Sequence, residues 1–160
     1  INDEPAVSFD GSNDYMSLTS GFSDLTAGLS IFAVVKPVGT GTATLVTTGN
    51  SGPSNMASLQ TINTQAKFNA YNATTSSNVT TPTNSVVVGK FQLIDVVHDG
   101  SASADLSVKS ISRVVGTVQN LTNTSRAQNY LGTDGSISTY FNGQLAELLV
   151  YDRGVTVSEA

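Results

Sequence analysis

Three glutamates, nine aspartates, one histidine and no cysteine are what this 160-residue chain has for building a reactive centre. Retaining hydrolysis of a glycosidic bond needs two carboxyl groups about 5 Å apart. On a strand, acids share a face only at even spacing. Glu4, Glu147 and Glu159 are scattered. Glu147 and Asp152 have opposite parity and so cannot act on one bond. His98 has Asp95 and Asp99 nearby in sequence, but no Gly-x-Ser-x-Gly elbow offers it a serine. His98-Asp99-Gly100 reads as a turn after a strand. The lack of cysteine removes disulfides, a thiol nucleophile and a cysteine zinc site. The chain reads as non-catalytic.

Binding chemistry is better represented. Asp10, Ser12 and Asp14 stand at i, i+2 and i+4, a spacing that can offer oxygen ligands to calcium. The same residues also make a good hairpin turn, and the plain turn is favoured. Asp134 with Asn129 is a second, weaker calcium set. Tyr71, Tyr130 and Tyr140 could stack on sugar rings, with Asn69, Asn129 and Gln128 supplying amide donors and acceptors. The competing reading is that Tyr71 and Tyr140 cover sheet edges. There is no Trp to make a strong stacking platform. Four Asn-x-Ser/Thr sequons, at Asn72, Asn78, Asn120 and Asn123, are about what this composition gives by chance. A net charge of −5 disfavours a nucleic-acid partner.

The elements that must position these residues are strands. Charged residues make up 12% of the chain, about half the usual share. Val and Thr for strands are abundant, as are Gly, Asn and Ser for turns. Ala6 to Leu18 reads as strand, Asp10-Gly11 turn, strand. Gly28 to Val38 is apolar on both parities, as for a strand buried on both faces. Thr42 to Thr48 is a strand, closed by a turn cluster at Gly49 to Asn55. Met56 to Tyr71 reads as a hairpin, and Asn72 to Asn84 as a loop or irregular edge. Val86 to His98 carries a turn and a strong strand. Leu106 to Val118 holds one or two strands, and Asn120 to Asn129 is polar. Tyr130 to Gly132 is short. The last strand follows Phe141, with Ala146, Leu148 and Val150 on one face. Thr156 and Glu159 have capping-box spacing, so a terminal helix is expected. Eleven or twelve strands make an all-β sandwich with strand content above about 40%. No apolar run approaches the roughly 18 residues of a membrane span.

Three blocks carry a resemblance. AVSFDGSNDYMSL, then GLSIFAVVKP with GKFQLIDVVHDG some fifty residues on, then YFNGQLAELLVYDRGVTVSEA, follow one another in the order of the bacterial laminin-G-like branch of the concanavalin A-like lectin/glucanase superfamily. Phe91 stands where a Trp is common, and the Glu-x-Asp-x-(x)-Glu strand of the superfamily's glucanases is missing. The resemblance implies a jelly roll of two antiparallel sheets, and related domains often hold calcium at a loop rim. Its members bind sugars, proteins or lipids, or act as spacers.

Residues 1–160 are therefore expected to form a single laminin-G-like domain. Ile1 without Met and the abrupt Ala160 suggest a piece of a longer chain or a processed product. The expected role is a glycan-binding or adhesive module of a secreted or surface protein. The alternative is a structural or decoration protein on a virion or other large assembly. Ligand or partner contact is expected at Asn72 to Asn84 or Asn120 to Tyr130, anchored by Tyr71 or Tyr130.

Overall fold

The computed structural model describes residues 5–50, 54–73, 75–109 and 111–156. Strands take up about half of the chain. Twelve are present among the described residues: β1 (Val7–Asp10), β2 (Met16–Ser17), β3 (Leu29–Pro37), β4 (Thr42–Gly49), β5 (Ala57–Ile62), β6 (Gln65–Asn72), β7 (Thr75–Thr80), β8 (Gln92–His98), β9 (Ser103–Val108), β10 (Ser112–Thr117), β11 (Gln128–Leu131) and β12 (Asn142–Tyr151). They form two six-stranded sheets, ordered β1-β12-β3-β8-β9-β10 (sheet 1) and β2-β11-β4-β5-β6-β7 (sheet 2). Every pairing is antiparallel. The fold is a two-sheet jelly-roll sandwich.

Period-two alternation builds the core. Leu29, Ile31, Ala33 and Val35 of β3 point inward beside Ile94 and Val96 of β8 and Leu106 and Val108 of β9. Sheet 2 answers with Val46, Leu59, Ala66, Phe68 and Ala70. Each buried Val, Leu, Ile or Phe side chain here contributes roughly 1.5–3 kcal/mol. The other parity of β3 is partly covered, as expected for a central strand.

Three details differ from the sequence reading. Val7–Asp10 and Met16–Ser17 are both strands, but β1 pairs with β12 and β2 with β11. The Asp10–Asp14 turn is thus a crossover between sheets and closes no hairpin. Thr75–Thr80 is a regular edge strand on β6. Its polar sequence concealed it because Val79 is its one buried apolar residue. In β12 the register slips between Leu145 and Glu147, so Ala146 is the extra residue of a bulge. Leu145, Leu148 and Val150 take the inward side. The terminal helix expected around Glu159, and part of the Gly49 to Asn55 turn cluster, lie outside the described residues.

Two points fix how the sheets meet. Gly132 ends β11 with φ +85°, and a Cβ there would lie 2.5 Å from the Phe9 ring. Phe9 in turn meets Phe141 edge-on at 5.9 Å. This corner launches the 132–141 loop between the sheets. His98 is fully buried and packs near Phe68 of the opposite sheet. Its Nδ1 accepts from Gly100 N at 2.9 Å, which places the ring proton on Nε2, 3.0 Å from the Gln119 carbonyl. Burial holds the imidazole below its ordinary pKa of 6.5.

Two outcomes are expected. Below a pH of about 6.5 the unfolded chain binds a proton at His98 that the folded chain resists, so stability falls as pH drops. His98→Gln should flatten that part of the pH–melting profile. Gly132→Ala should lower unfolding stability in urea by about 1–3 kcal/mol, through the forbidden φ and the Phe9 clash.

Candidate functional site: a polar groove over sheet 2

The strand register lines up polar side chains on the outer face of sheet 2. One row runs Ser17, Tyr130, Thr47, Ser58, Asn69, Asn78 across all six strands. The next runs Thr44, Gln60, Lys67, Thr80. The 132–141 loop folds over this face, and Thr139 Oγ1 lies 2.9 Å from Thr44 Oγ1. Between loop and sheet lies a groove of about 240 Å³. Met56, Gln60, Lys67, Asn69 and Tyr71 line it from the sheet, and Asp134, Gly135 and Ser136 from the loop.

Its floor is held by a hydrogen-bonded chain. Gln60 Nε2 donates to Thr44 Oγ1 at 3.0 Å, and Gln60 Oε1 accepts from Asn69 Nδ2 at 2.8 Å. Asn69 Nδ2 also donates to Ser58 Oγ at 3.2 Å. These side chains are therefore fixed before any ligand arrives. Asp134 faces the groove, but its carboxylate is bound into its own loop. It accepts from Ser138 N at 2.7 Å, Ser138 Oγ at 2.9 Å and Thr139 N at 3.2 Å. Lys67 is half-buried and makes no ion pair among the described residues.

The groove gathers only some of the expected site residues. Asn69 and Tyr71 line it together. Tyr130 shares the sheet face but sits on β11, its ring edge-on to Tyr15 at 5.6 Å. Asn129 points inward and is 1% exposed. It accepts from Thr48 Oγ1 at 2.7 Å and donates to Arg126 O at 3.0 Å and Thr19 O at 3.4 Å, so its amide serves the fold. It does not join Asp134 in a ligand set. Tyr140 turns its hydroxyl back onto the Ile137 carbonyl at 3.1 Å. Gln128 is half-buried at the start of β11.

Lys67, Gln60 and Met56 were not singled out from the sequence. The signal for Lys67 was present: in Gln65–Tyr71, polar residues alternate with Ala66, Phe68 and Ala70, which puts Lys67 beside Asn69 and Tyr71.

At the Asp10–Asp14 turn, Asp10 Oδ1 accepts from Ser12 N at 2.7 Å and Asn13 N at 3.3 Å, while Asp14 Oδ2 accepts from Asp10 N at 3.0 Å. The Ser12 amide leads in holding the Asp10 carboxyl below its usual range. Among the described residues no three His, Asp or Glu side chains gather around a possible metal. One oxygen of each carboxylate thus serves the turn itself. On the outer face of sheet 1, Asp95 takes a hydrogen bond from Ser107 Oγ at 2.6 Å, and burial raises its pKa. Its neighbour Asp105 is held two-pronged by Arg113.

Residues 10–160 match Laminin_G_3, the concanavalin A-like lectin/glucanases superfamily, and the chain belongs to this family. No curated protein sequence matches it. Domains LG4-5 of the mouse laminin alpha1 chain superimpose with a TM-score of 0.73 at 15% identity, over 95% of this chain and 44% of that one. The CBM40 of the Ruminococcus gnavus IT-sialidase does so with 0.63 at 13%, over 91% and 94%. Tailspike protein 2 of the Escherichia coli O157:H7 bacteriophage CAB120 gives 0.69 at 13%, over 94% and 23%. The chain thus spans less than half of the laminin structure and about a quarter of the tailspike. At these identities the likeness establishes the fold. Among the described residues no helix is long and apolar enough to cross a membrane.

On the plain-turn reading, melting curves measured with added calcium and after EDTA should coincide, because Asp10 and Asp14 hold the turn through its own amides. A calcium-dependent rise in melting temperature would show a bound ion instead.

Proposed function

We propose that this domain is a non-catalytic recognition module that binds carbohydrate in the groove over sheet 2. The observation that carries this is the groove itself: the Tyr71 ring stands beside a rigid amide and hydroxyl row under a loop wall. Ring faces stack on the C–H surfaces of sugars, and fixed amides match sugar hydroxyls without an ordering cost at binding. The fold is compatible with this role, since the R. gnavus CBM40 is also known bound to alpha2,3 sialyllactose. Such a role places the domain outside the cell or on a surface.

Docking onto a larger assembly is the second reading. The outer side of sheet 1 favours it, where Leu149, Tyr151 and Val115 are exposed. Adhesion would combine the two surfaces.

Glycan-array screening followed by calorimetry tests the first reading. Tyr71→Ala and Asn69→Ala should each weaken binding by about 1–3 kcal/mol. Tyr130→Ala should leave it unchanged, because Tyr130 lies outside the groove. Equal loss for Tyr130→Ala would move the site to β11. Capture of a scaffold protein in fixed copy number, with no glycan bound, would favour docking.

A further inference from the structure

We propose that the groove's ligand is an anionic oligosaccharide, with Lys67 as the counter-charge for its carboxylate or sulfate; this rests on the carbohydrate reading above. The chain has only seven Lys and Arg residues against twelve Asp and Glu. Several of the cations are committed within the fold: Lys36 lies over the Phe91 ring, Arg113 holds Asp105, and Arg126 is buried on backbone carbonyls. Lys67 is different. It projects from the middle of β6 into the groove, and the residues beside it on the neighbouring strands, Gln60 and Thr80, are neutral.

The acid across the groove does not answer it. Asp134 is held within its own loop by Ser138 and Thr139 and forms no ion pair with Lys67. The half-buried Lys67 thus has no ion-pair partner among the described residues, in a groove lined otherwise by amides, a hydroxyl, an aromatic ring, Met56 and the loop-bound Asp134. A ligand anion would supply the missing partner in a setting that strengthens the interaction over one in bulk water. Lys67 and Tyr71 are four residues apart on one strand, about 13 Å along its axis. That exceeds one sugar ring, so stacking and ion pairing fall on different units of the chain.

The test uses matched probes that differ in charge: trigalacturonate against its methyl ester, and 3′-sialyllactose against lactose, within an array of neutral and acidic glycans. In at least one acidic series the charged member should bind about tenfold or more tightly than its neutral counterpart. That preference should shrink with added salt. Lys67→Gln should abolish the preference and Lys67→Arg should keep it, with unchanged melting temperatures confirming both folds. Tyr71→Ala should weaken charged and neutral members alike. Equal binding of charged and neutral members, unaffected by Lys67→Gln, would overturn the anionic assignment and leave carbohydrate binding standing. No binding anywhere on the array would overturn both.

Discussion

A buried charge hydrogen-bonded to main-chain carbonyls organises one end of this sandwich. Arg126 is 2% exposed, and its guanidinium is satisfied by main-chain carbonyls. It donates to Phe22 O at 2.9 Å, Ser23 O at 2.8 Å, Asn55 O at 3.0 Å, Thr122 O at 3.0 Å and Thr124 O at 3.4 Å. Three separate loops are thereby held by one planar fork of five N–H donors. Removing it would take one shared donor group from all three loops, and of the five carbonyls Ser23 O would keep the Thr124 amide. The main chain of Arg126 continues the clamp, since its carbonyl anchors Asn129, which in turn receives Thr48. The seating of β11 against β4 is thus keyed to a single side chain.

From β11 the chain passes the Gly132 corner into the loop that walls the groove. The binding face is therefore set by interior packing two steps away. Phe9 and Phe141 fix the corner, the corner aims the loop, and Thr139 fastens the loop to Thr44. Asp134 then acts as the loop's internal scaffold. Lys67 and Asp134 then line one groove without pairing, so the electrostatic character of the site follows from how its wall is built.

Much of this architecture was readable from the residues. Turn dipeptides and alternating apolar positions marked nearly every strand, and the doubly apolar stretch in Gly28 to Val38 proved to be central β3. The internal turn reading of His98 also held, since a buried neutral imidazole serves as a turn acceptor. What alternation could not convey was pairing. The strands flanking Asp10–Asp14 look like a hairpin because local sequence is silent on which sheet each joins. Thr75–Thr80 was hidden because an edge strand with one buried apolar residue has the composition of a loop. The site was legible in part: Asn69 and Tyr71 stood out by type, whereas Asn129 looked the same in sequence but points inward. An amide's type says nothing of its direction unless its parity is read against buried neighbours, and in β11 only four residues were available for that.

The bulge at Ala146 bears on how the length of this chain can vary. Ala146 is the surplus residue between Leu145, paired with Val35, and Glu147, paired with Val34. A deletion there would restore plain alternation and leave Leu145, Leu148 and Val150 facing the interior. Deleting Glu147 instead would do the same, with Ala146 in its place, whereas a deletion at Leu149 would carry Val150 to the outer side. The last strand thus contains one short stretch, the bulge, where the loss of a residue is absorbed without turning the apolar stripe.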